Sequence, residues 1–328
     1  MKFTLIGWST SGKYACPYCM EESEAFYLQH GRKTCWFDCH RKFLGSGHPF
    51  RRNRSDFKKG RAAVSDLPLN LKSGWELLAE LEDIGLKKIT KPGFDEHNRD
   101  VGRFTGWKKR SIFWDLPYWG DLRIRHNLDV MHIEKNVFDN VLNTVLNVPG
   151  KSKDNLKARY DMRDIRRRKE LEPDATGKMY AKAKYTMTTE QRKILFEWLK
   201  TVKFPDGYVS NLSRCIDAQK HSVFGMKSHD CHVFLQRLMH VAFRPFLDYN
   251  YWEPLAQLSI FFRDLTCAEL RQDKVQALNK EIPVIICKLE RMFPPAFFDS
   301  MEHFPIHLPM EASLGGPVQY RWMYPFER

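Results

Sequence analysis

The chain has 328 residues, 43% of them hydrophobic and 13% aromatic, which excludes a disordered tail and supplies enough apolar surface for one large or two medium cores. No apolar run approaches the roughly 18 residues a membrane span needs, and Met1-Lys2-Phe3-Thr4-Leu5-Ile6 turns polar too soon for a signal peptide. The formal charge of +13, with 33 Lys and Arg against 24 Asp and Glu up to residue 175, favours a polyanion partner contacted mainly through the first half.

In chain order, residues 1 to about 50 are rich in Cys, His, Gly and aromatics and read as an irregular, metal-organised segment. A basic linker follows with Arg51, Arg52, Arg54, Lys58 and Lys59. Trp75 to Leu86 has helical spacing, and a second basic stretch ends at Lys108-Lys109-Arg110. Leu128 to Leu146 places Val130, Ile133, Val137, Val141 and Val145 three or four apart, which predicts a helix. Residues 148–185 are charged and without period, and are expected to be exposed; they contain Arg166-Arg167-Arg168. Each basic cluster is either a set of phosphate contacts or simply solvated surface.

The second half reads as helical. Thr188-Thr189-Glu190 caps a helix to about Val202, which Pro205-Asp206-Gly207 stops. Further helices are expected at His232–Phe243, Glu253–Leu270 and Asp273–Met292, the last ending before Pro294-Pro295. The fold class expected is mostly α.

Eight cysteines without a secretory signal suit thiols or metal ligands in a reducing compartment. Cys16-Pro17-Tyr18-Cys19 has the spacing of half a tetrahedral zinc site, and a local ribbon would complete it with Cys35 and either Cys39 or His40. A redox pair or unrelated thiols are the alternatives. His303 and His307 are four apart, the spacing of one helical face, but Pro305 between them interrupts a regular helix. Asp129 and His132 share a face of the Leu128–Leu146 helix, and with His126 and Glu134 they sketch a weaker zinc-hydrolase reading beside that of a polar packing network. His229-Asp230-Cys231-His232 poses the same choice between a site and a packing network.

Four segments together resemble the transposases of plant CACTA (En/Spm-like) elements: Gly7-Trp8-Ser9-Thr10 with Cys16 to Cys19, His40 to Leu44 with His48, Arg125 to Asn136, and Gly315 to Arg328. The resemblance implies a cut-and-paste transposase of the DDE class, whose RNase H-like core is interrupted by a large helical insertion. In such enzymes two aspartates and a glutamate hold two magnesium ions. It further implies that Cys16 and Cys19 pair with His303 and His307 around one structural zinc that ties the ends of the insertion together, and that Glu327 is the catalytic glutamate. On this reading residues 1–60 are the Cys/His-rich end of the transposase core, 61–187 a basic, partly helical region, 188–293 the helical insertion, and 294–328 the return to the core. No Asp precedes Gly7 where the resemblance puts the second aspartate. The expectation is therefore a nuclear, DNA- and zinc-binding fragment, inactive alone and able to self-associate; the alternative is a domesticated, non-enzymatic nucleic-acid-binding or interaction protein.

Overall fold

The structure, a computed structural model, describes residues 7–57, 71–85, 105–166, 168–178, 180–205, 212–217, 219 and 222–322. These residues are mostly helical, with two small antiparallel hairpins. In the first, β1 (Phe26–Leu28) pairs with β2 (Lys33–Cys35) so that Phe26 faces Cys35 and Leu28 faces Lys33. In the second, β3 (Ile216–Asp217) pairs with β4 (Ser222–Val223). No larger sheet, and no helix long and apolar enough to cross a membrane, occurs among the described residues.

A four-residue helix, α1 (Pro49–Arg52), and α2 (Gly74–Ile84) precede the long α3 (Val130–Val145). The α3 face carrying Val130, Ile133, Val137, Val141 and Val145 is buried, as the sequence period requires. The Asp129 side chain accepts a hydrogen bond from the His132 backbone N–H, so this carboxylate is the N-cap of α3. Residues 148–185 differ from the exposed segment expected. They contain α4 (Leu156–Ile165), capped by Asn155, and a fully buried Arg159 whose guanidinium pairs with Asp154, while Tyr185 donates to the same carboxylate at 2.6 Å.

Thr188 and Gln191 form a reciprocal capping box at the start of α5 (Thr189–Thr201). The helix expected at His232–Phe243 begins earlier and is interrupted: α6 (Ser228–Val233) passes into a π turn at Phe234–Leu238 before α7 (Met239–Ala242). Then come α8 (Tyr249–Leu265) and α9 (Gln272–Met292), which pack on each other. Past Pro294, α10 (Ser300–His303) runs into a 3-10 turn, Phe304–His307, and on into α11 (Leu308–Gly315). Pro305 therefore tightens the chain into one 3-10 turn and helical structure resumes after it, because a proline in the first turn removes an N–H that lacks a partner there anyway.

One continuous apolar core runs from Ala15, Cys16 and Trp36 near the start, through α3, α5, α8 and α9, to Phe304, Leu308 and Val318. A smaller, tryptophan-rich cluster of Trp8, Trp107, Trp114 and Trp119 closes around Leu77 and Leu81 of α2.

Candidate metal centre

The Cys16–Cys19 turn is folded by its own backbone: the Met20 N–H donates to the Cys16 carbonyl at 3.0 Å, and the Cys19 N–H reaches the Cys16 sulfur at 3.4 Å. Both sulfurs thus face one way. The turn at Phe304–His307 does the same for two imidazoles, whose Nε2 atoms lie 3.1 Å apart. The two pairs meet. Cys16 Sγ is 3.3 Å from His307 Nε2, and Cys19 Sγ is 3.2 Å from His303 Nε2 and 3.5 Å from His307 Nε2. A tetrahedral zinc with ordinary bond lengths has sulfur–nitrogen edges of about 3.5 Å and nitrogen–nitrogen edges of about 3.3 Å, so the four donors already sit near the corners of such a site. All four residues are buried, and as a group they can hold a metal ion.

The electrostatics are those of a site that wants a cation. Burial opposes ionisation of Cys16, but the Cys19 thiol and the His307 and His303 imidazoles outweigh it and carry Cys16 well below the usual thiol range. Burial and the Cys16 thiolate push Cys19 well up. Burial holds His303 down to about 3, so its imidazole is neutral and able to ligate. Neighbouring rings fix the ligands. Tyr18 stacks on His307 at 4.9 Å and donates its hydroxyl to Glu311, which also accepts from the Leu128 N–H and from Arg321. Trp36 lies over His303 at 4.5 Å.

The local ribbon set is arranged differently. The Cys35 thiol donates to the Pro295 carbonyl at 3.0 Å, outside any group that can hold a metal among the described residues, and burial raises it. Cys39 and His40 form a second group with His303 rather than with Cys16 and Cys19. His126, Asp129, His132 and Glu134 form no such group: Asp129 is a cap, and Glu134, fully buried on α3, accepts from His232 Nδ1 and from Gln236 Nε2 of the π turn. His126 packs on Tyr18 at 4.2 Å with both ring nitrogens buried and unpartnered. It lines a cleft of about 520 Å³ beside the centre, together with Cys19, Lys72, Trp75 and Arg125. Glu290, Glu311 and Trp36 had no signal in the sequence, since nothing local marks a buried carboxylate or indole as a ligand's neighbour.

The basic residues divide. Arg52 and Arg54 are exposed, and Lys108 and Lys109 half-buried. Arg110 pairs with Asp115 at 2.6 Å. Arg51 and Arg166 point inward: Arg51 donates to the Lys42 and Leu44 carbonyls and Arg166 to those of Glu290 and Arg291. These two close off carbonyls at the ends of helical segments and are not free for phosphate. Arg168 is spent on the Arg291 and Met292 carbonyls and on Glu170. Lys58, Lys59, Arg167 and Glu327 lie outside the described residues.

A mostly helical protein closed by a buried pair of thiols and a pair of imidazoles is the class that fold and site define. Residues 2–84 match the model of the transposase family tnp2, and residues 265–328 match a domain of unknown function, DUF4218. The match over the first quarter supports a transposase-related protein. No curated protein and no solved structure matches.

Proposed function

We propose that this chain belongs to a CACTA-type cut-and-paste DNA transposase, in which Cys16, Cys19, His303 and His307 bind one structural zinc that joins the two edges of a helical insertion in an RNase H-like core. The observation that carries the reading is the meeting of Cys19 and His303 across 284 residues at 3.2 Å, one partner within the transposase match and the other within the second matched region. Two thiolates and two imidazoles at these separations suit zinc better than magnesium or calcium, which prefer oxygen. Glu327 would lend its carboxylate to a two-magnesium site that two aspartates complete in such enzymes. The exposed Arg52 and Arg54, with Lys108 and Lys109, would contact phosphates in the nucleus.

Metal analysis of the purified chain tests the centre. Cys16→Ser and His303→Ala should each abolish zinc binding at it, whereas a local ribbon would leave His303→Ala fully loaded. DNA binding is tested by titration across salt concentrations: the Arg52→Ala, Arg54→Ala double variant should lower the slope of log affinity against log salt by about 2. An unchanged slope would remove these residues from the interface.

A further inference from the structure

His303 is shared between two donor sets. Its Nε2 faces Cys19 at 3.2 Å, while its Nδ1 faces Cys39 at 4.0 Å from the other side of the ring. Behind it, the Cys39 sulfur lies 3.6 Å from His40 Nε2, close to the tetrahedral sulfur–nitrogen edge of about 3.5 Å. Cys39, His40 and His303 are all buried and close enough together to share an ion.

The orientation of His40 is the independent observation. Its Nδ1 lies 2.6 Å from Glu290 Oε1, and since a carboxylate only accepts, that nitrogen carries the hydrogen. That leaves Nε2 as the ring's available donor, with the Cys39 sulfur against the ring at 3.6 Å from Nε2 and 3.9 Å from Nδ1; the Cys39 thiol donates to the Trp36 carbonyl at 2.8 Å, a bond that binding an ion would replace. A carboxylate behind one nitrogen with the other left free is how metal-binding histidines are held. Glu290 is fully buried, and its second oxygen has no hydrogen-bond partner, so negative charge remains there to be balanced.

We propose that the chain carries a second metal site, in which Cys39, His40 and the Nδ1 of His303 take a second zinc-class ion, with the His303 imidazolate bridging it to the ion held by Cys16, Cys19 and His307. Loading both ions leaves Cys16, Cys19 and Cys39 as thiolates and His303 as an imidazolate, and whatever protons these groups held pass to solvent. Two dications then face three thiolates, one imidazolate and the Glu290 carboxylate, which nearly balances the charge among buried side chains. The Cys39–His303 edge, at 4.0 Å, stands about half an ångström wider than in an ideal tetrahedron, so the second ion draws these donors inward. The inference rests on the first centre being a metal site.

The test is metal counting on the full chain, saturated with zinc and dialysed. Wild type should hold two ions per chain, and Cys39→Ser and His40→Gln one each. With cobalt(II) in place of zinc, the thiolate-to-metal absorption should fall by about a third in Cys39→Ser, as three thiolates become two. One ion in wild type, or two that persist in Cys39→Ser, overturns the proposal while leaving the first centre standing; no ion at all overturns both. The wild-type count needs no variant to fold.

Discussion

On the proposed zinc site, replacing His303 with alanine, or stripping the metal with a chelator, would open a tie between positions 284 residues apart. Treated as a cross-link, a loop of that length restrains the unfolded chain by about 5 to 6 kcal/mol, whereas a ribbon closed locally between Cys19 and Cys35 would give about 3. The first figure is comparable with the roughly 5 to 15 kcal/mol that holds a whole domain folded. The expected outcome is that His303→Ala lowers the urea midpoint as far as chelation lowers that of wild type, and that chelator has little further effect on the variant. Equilibrium unfolding followed by tryptophan fluorescence, with and without chelator, measures it. A variant as stable as wild type, still sensitive to chelator, would place the ligands elsewhere and refute the long-range tie.

Other perturbations act on single groups. His126 is buried with both nitrogens unpartnered, and burial lowers it to about 3, so below its unfolded value of about 6.5 the unfolded chain binds the extra proton. Its contribution to stability is complete above that value and is lost as pH falls toward 3; at pH 5 the loss is about 2 kcal/mol, and His126→Phe should lose that much less than wild type between pH 7 and 5 in urea titrations. Arg159→Ala leaves Asp154 buried without its cation and the Leu171 carbonyl without its donor, and should cost about 3 to 5 kcal/mol in thermal or chemical unfolding. Thr188→Ala removes one half of the capping box and should cost about 1 kcal/mol, rescued by Thr188→Ser.

Where one face of a helix repeats, the sequence is a sufficient guide. The valines of α3 and the Thr188 cap of α5 announce their elements because the signal lies within one helical turn or two. Residues 148–185 show why charge content misleads: Arg159, Asp154 and Tyr185 are polar one by one and buried as a set, and pairing across 31 residues leaves no mark on local composition. Pro305 misleads in another way, since the rule against proline in a helix says nothing of a 3-10 turn that turns both imidazoles to one side. Joining the first thiol pair to His303 and His307 required the family resemblance, because neither spacing contains information about the other. The His40–Glu290 contact, 250 residues apart, had no signal of either kind.

A metal held between the two ligand pairs would also fix how the molecule carries a load. A pull applied just outside Cys16 and His307 would travel through sulfur, metal and nitrogen and bypass the helices between them, which would stay slack until the coordination bonds gave way. Tension on one side of the clamp could thus pass to the other without deforming the lobe that the clamp encloses.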